Sequence, residues 1–186
     1  IRHLCYNISC ITSHNTYYVE ANVLEKGVKY MESNFSFLNS NYPVLGNFGI
    51  LAEKYIYSDS NSCLMKLGMI GETIVNLMYI YDNITVPSDN SPVNRIETLH
   101  SEGLLTDDLT SVLHQLRKLR NKAAHENYSS VSDAEKFLPI THSLCEWFMQ
   151  TYGDWSYVNK PYVMPKKDEN TESVVIDKQA EEAKTE

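Results

Sequence analysis

Between Leu116 and His125 the chain reads Leu-Arg-Lys-Leu-Arg-Asn-Lys-Ala-Ala-His. If this stretch is helical, Arg117, Lys118, Arg120, Lys122, an amide (Asn121) and an imidazole (His125) fall within about two and a half turns. These residue types suit work on a phosphodiester. Cleavage without a metal needs a group titrating near neutrality to move the 2′-hydroxyl proton, and histidine is suited to that. It also needs a cation to hold the charge that builds on the phosphate. Arg120, Asn121 and His125 are therefore the candidate catalytic residues. One copy offers only one imidazole at this motif, so acid and base together would need a second copy across a two-fold axis. His114 is a weaker candidate for the second role. A purely structural reading stands beside this one. A histidine near a helix C-terminus is favoured by the dipole alone, Asn121 can satisfy terminal carbonyls, and Lys118 and Lys122 can be solvated.

The formal net charge of the whole chain is −8. Cations gathered against that background mark either a polyanion-binding edge or half of an ion-pair network. Overall acidity weakens a duplex-DNA reading, because nucleic-acid domains usually carry broad basic surfaces. A stripe of His114, Arg117, Lys118 and Lys122 could still contact a few phosphates.

The helix that carries these residues divides them. At about 100° per residue, Leu109, Val112, Leu113, Leu116, Leu119 and Ala123 fill one broad wedge that must face a core. His114, Arg117, Lys118, Asn121 and His125 fill a narrower wedge opposite. Arg120 lies among the leucines. An arginine there must be paired or must snorkel, since an unpaired buried charge is costly. Glu72 is the expected partner, and an Arg120–Glu72 fork would lock two helices in register.

The elements that position this helix follow from local signals. Pro43 suits a first-turn position, and Leu45, Phe48, Leu51, Ala52, Tyr55 and Ile56 continue with helical spacing. Ser58 or Asp59 caps a longer helix to about residue 82, apolar nearly all round and so expected at the centre of a bundle. A Pro- and Ser-rich loop spans residues 83–92. A short helix over residues 94–100 stops at Gly103. Thr106, followed by Asp107 and Asp108, opens the basic helix. Ser132-Asp133-Ala134-Glu135 reads as a capping box for the last helix, which ends at Gly153. Pro139 is expected to kink or locally break that helix.

The domain reading is a poorly defined extension over residues 1–33, a helical domain over 34–157 and a charged linker or disordered tail over 158–186. Within the extension, residues 17–19 could form a strand and 21–30 a short helix. The chain starts with Ile, which suggests a piece of a longer polypeptide. The fold class is all-α: an up-and-down bundle of about five helices. No stretch approaches the roughly 20 apolar residues of a membrane span, so no membrane partner is expected. Cys5, Cys10, Cys63 and Cys145 make a poor zinc pattern. The expectation is a reducing, cytoplasmic setting, no disulfides, no metal and no cofactor.

Arg120-Asn121-Lys122-Ala123-Ala124-His125 has the form R-N-x-x-x-H, which resembles the signature of the HEPN superfamily of helical domains, many of them metal-independent RNases. A longer series surrounds it: Asn34-Phe35-Ser36-Phe37-Leu38; Leu51-Ala52-Glu53-Lys54-Tyr55; the run from Tyr57 to Leu64; Lys66-Leu67-Gly68 with Gly71-Glu72; Leu104-Leu105; and Trp147 to Gly153. Together these resemble the HEPN-related domain of unknown function at the N-terminus of bacterial type I restriction enzyme R subunits and related DEAD/DEAH-box helicases. The resemblance covers about residues 34–157. It implies a HEPN-like bundle, with Arg120, Asn121 and His125 at the motif positions and Glu72 as the acidic partner of the arginine. The second histidine of some active members has no match. The chain has no G-x-x-x-x-G-K-[ST] loop. The expected function is thus an accessory module of a restriction or helicase-type defence protein, contacting protein, RNA or DNA without catalysis of its own. The expected partners are a second copy, helicase or nuclease domains of the same polypeptide, or restriction-complex subunits. The alternative is a dimeric HEPN ribonuclease.

Overall fold

The computed structural model describes residues 33–167. Expectations for residues 1–32, and for the tail from Asp168 onward, lie outside the described residues. Five α-helices follow one another: α1 (Pro43–Tyr55), α2 (Ser60–Tyr81), α3 (Pro92–Ser101), α4 (Asp107–Glu126) and α5 (Val131–Phe148). A 3-10 helix, Asn34–Leu38, precedes them, and a π-helical turn, Met149–Gly153, follows. No strand occurs among the described residues.

Most boundaries are set by single side chains. Pro43 sits in the first turn of α1. Asp59 caps α2, accepting from the Ser62 amide at 3.0 Å. Ser91 caps α3, with Pro92 in its first turn. Thr106 caps α4, and Asp107 and Asp108 lie at the positive end of its dipole. Asn127 ends α4 in the left-handed conformation, φ 49°.

Two features of α5 differ from the sequence pattern. Its cap is Ser130, whose hydroxyl accepts from the Asp133 amide at 3.1 Å; Ser132 and Glu135 are exposed within the first turns. Tyr128 donates to Asp133 at 2.6 Å, and this bond to the incoming turn favours the earlier cap. The helix also runs unbroken through Pro139. Proline withholds a bond from the Glu135 carbonyl, and Glu135 is exposed, so water can supply it.

The core is built around α2, which packs against α1, α3, α4 and α5. Leu64, Leu67, Ile70, Ile74 and Met78 are fully buried along it. Met65 and Met69 are half-buried, and Ile80 is exposed near its end. Contrary to the composition-based expectation, α2 is long and apolar enough to cross a membrane, with mean hydropathy 1.3. In this fold it is the central helix of the bundle.

Residues 158–167, grouped with the tail by the sequence pattern, run back across the bundle. Asn34 exchanges two hydrogen bonds with the Val163 backbone, at 2.8 and 2.9 Å. The Lys160 amide donates to Glu146 at 2.7 Å. Tyr162 sets its ring 5.3 Å from His142 and 6.4 Å from Phe35.

Candidate functional site

Helix α4 reaches the site through glycine. A Cβ on Gly68 would overlap Arg120 Cβ, lie 2.8 Å from Arg120 Cγ and lie 3.1 Å from the Leu116 carbonyl oxygen. Its absence lets the Arg120 stem lie against α2. Gly71, one turn on, faces Leu113 and Leu116 at ordinary contact distance.

Between α2, α3 and α4 lies a cavity of about 250 Å³. Gly68, Gly71, Glu72, Val75 and Asn76 line it from α2. Arg95 and Ile96 line it from α3, and Leu113, Arg117 and Arg120 from α4. Arg120 Nε is 3.2 Å from Glu72 Oε1, and each side chain remains about one-third exposed (34% and 33%). The Nε–H is not directed at the carboxylate, so the contact is an ion pair, and among the described residues Nε has no hydrogen-bond partner. It is a single contact and not the two-pronged fork that would fix a register.

Of the remaining sequence candidates, His114, Arg117 and Lys118 line a second groove, with Glu97. Arg117, placed by the helical wheel with the histidine stripe, lines that groove and also the cavity with Arg120. His114 is held by Glu97 of α3 at 2.8 Å. Lys122 lies over the Tyr128 ring, 5.4 Å from its centre. Lys118 is exposed on the outer surface of α4. Asn121 is half-buried and His125 exposed, and neither lines the cavity. The structure thus brings Arg120, Arg117 and Glu72 together and leaves His125 apart.

The end of α4 that carries His125 is fixed by Asn61 of α2. The Lys122 carbonyl accepts from both the Asn127 and Tyr128 amides, which leaves the Ala123 carbonyl without a backbone donor. Asn61 Nδ2 donates to that carbonyl and to the Tyr128 carbonyl, each at 2.8 Å.

Sequence reasoning missed two things. Arg95 joins the cavity from α3, its guanidinium 4.4 Å from the Tyr79 ring centre. A buried polar cluster also lies where α5 meets the returning segment. His142 Nδ1 is 3.6 Å from Glu146 Oε2, both almost fully buried. Burial holds the His142 imidazole below its usual range, while Glu146, the Asn34 backbone and Glu53 pull the other way. Burial, with Glu146 beside it, pushes the Tyr157 hydroxyl up to about 12. Burial likewise pushes the Cys63 thiol up to about 12, so it is an inert packing residue. A His and Glu four apart within an apolar helix was the signal available for this cluster. Among the described residues, no three His, Cys, Asp or Glu side chains gather as metal ligands do.

A family described as a domain of unknown function, DUF4145, matches residues 51–181. The chain belongs to that family. The matched range takes in α2 to α5, the cavity and the returning segment. This DUF4145 domain is also similar to the type I restriction enzyme EcoKI endonuclease subunit of Escherichia coli (strain K12), 28% identical over 140 residues. That alignment covers 75% of this chain and 12% of the subunit, so the chain corresponds to a small part of that protein's length. No solved structure matches the chain.

Proposed function

We propose that this domain is an accessory module of a type I restriction or helicase-type defence protein, contacting protein or nucleic acid without catalysis of its own. Its place in the HEPN superfamily, implied by R-N-x-x-x-H, is part of the same proposal. The restriction setting rests on the similarity to the EcoKI subunit. The non-catalytic reading is carried by the division of the motif: Arg120 lines the cavity while Asn121 and His125 do not. General acid–base catalysis needs its groups within reach of one reacting atom.

One observation favours the ribonuclease reading. His125 is exposed and, among the described residues, unpaired, as a histidine awaiting a second copy would be. The test is incubation of the purified chain with labelled single-stranded RNA in EDTA. The accessory reading expects intact RNA, and expects the chain to co-purify with restriction-complex subunits. Cleavage to 2′,3′-cyclic phosphate and 5′-hydroxyl ends, lost in His125→Ala, would overturn it.

A further inference from the structure

Arg95, Arg117 and Arg120 line one cavity, and among the described residues the buried Nε of each has no hydrogen-bond partner. Each Nε is closed to solvent, so a ligand in the cavity would meet the outer nitrogens of these guanidinium groups. Among the described residues, Glu72 is the only carboxylate lining that space, and its ion pair is with Arg120. Three guanidinium charges against one carboxylate leave that lining with an excess of two positive charges, in a chain of net charge −8. All three side chains are only partly buried, so water carries that charge where no anion does.

Two of the arginines are also held in place. Arg95 is stacked on Tyr79, whose own hydroxyl donates to the Arg95 carbonyl at 3.1 Å. The stem of Arg120 is seated on Gly68. Stacking of this kind leaves the N–H edge of a guanidinium free for an oxyanion. Asn76 and Asn90 add amide groups at the wall.

We propose that this cavity is a binding site for a phosphate monoester. Such a group carries a charge of about −1.5 to −2 near neutrality and three strong acceptor oxygens. It therefore matches the charge left over on the lining. The cavity is smaller than the roughly 300–1,000 Å³ of most ligand pockets, so it takes the phosphate and the few atoms next to it, with the rest of the ligand outside. Small phosphorylated metabolites and the 5′-phosphate end of a nucleic acid share this chemistry. The inference goes beyond the accessory role and does not depend on it.

The test is isothermal titration of the full chain with three probes: ribose 5-phosphate, a short 5′-phosphorylated oligonucleotide, and the same oligonucleotide with a 5′-hydroxyl. Sodium chloride at matched ionic strength is the control. Saturable binding of either phosphate probe is expected. A 5′-phosphate oligonucleotide that outbinds both others assigns the source to a nucleic-acid end. Comparable binding of the sugar phosphate assigns it to a small molecule. Arg117→Ala is expected to weaken binding about ten-fold or more, since it removes one charge-assisted bond. Glu72→Gln, which removes the competing carboxylate, is expected to tighten it, and it reports on the site even where the arginine variant does not fold. No binding above the chloride control, or binding unchanged in both variants, would overturn the proposal.

Discussion

Two glycines three residues apart on α2 should respond in opposite directions to the same substitution. Alanine at Gly68 places its Cβ on Arg120 Cβ and 3.1 Å from the Leu116 carbonyl oxygen. Neither atom is the far end of a flexible side chain, so α4 itself must move away. Overpacking of this kind costs about 1–3 kcal/mol, and the clash with fixed atoms argues for the upper end. Replacing glycine by alanine inside a helix returns about 1 kcal/mol. The net loss for Gly68→Ala is then about 2 kcal/mol, or about 4–8 °C in Tm for a domain of this size. At Gly71 the same Cβ would sit 3.4 Å from Leu116 Cδ1 and 3.5 Å from Leu113 Cδ2, which is ordinary contact. Gly71→Ala should keep the helix-propensity gain and raise Tm by about 2–4 °C. Thermal unfolding followed by far-ultraviolet circular dichroism reads both. If Gly68→Ala is as stable as the parent, or the two shifts share a sign, the close approach of α4 at Gly68 is wrong.

Three further outcomes follow from individual contacts. Asn61→Ala strands two carbonyl oxygens at the end of α4 and should cost about 1–3 kcal/mol in urea unfolding; an unchanged midpoint would remove Asn61 as the clamp. Glu72→Leu should cost about 1 kcal/mol or less, because its ion pair with Arg120 is one-third exposed on both sides; a larger loss would mean the pair is more enclosed than the geometry gives. His142 is buried with its pKa below the ordinary 6.5, so the unfolded chain takes up its proton first as pH falls. Its contribution is complete above that ordinary value and is lost as pH drops through the lower folded value. Urea titrations across that window should show declining stability in the parent and a flatter profile in His142→Gln; identical profiles would exclude His142 as the source.

Local chemistry made much of the fold legible. Asp59, Thr106 and Pro43 each act through the first turn they begin, so sequence alone places α1, α2 and α4. Ser130 and Ser132 show the limit of such rules. Both sit before a usable helical turn, and a hydrogen bond from Tyr128 to Asp133 accompanies the choice. The wheel put Arg120 toward the core because that angle depends on α4 alone. It put Arg117 at the edge of the polar wedge with the stripe, but not in the cavity, which Arg117 reaches only because α3 closes that space. Arg95 was invisible for the same reason: its partners are a ring on α2 and two cations on α4. The returning segment has no helical period. Its alternation of Tyr162 and Met164, half-buried, with exposed Pro161 and Val163 was the signal available.

The pairing of Asn34 with Val163 has a mechanical consequence. The first and last described stretches of the domain meet at one point, like the two ends of a drawstring. Tension applied between them would fall first on those two hydrogen bonds and on the Lys160–Glu146 contact. Asn34 and Lys160 anchor to Glu53 of α1 and Glu146 of α5, so such a pull would load those two helices before α2 and the arginine cavity beside it.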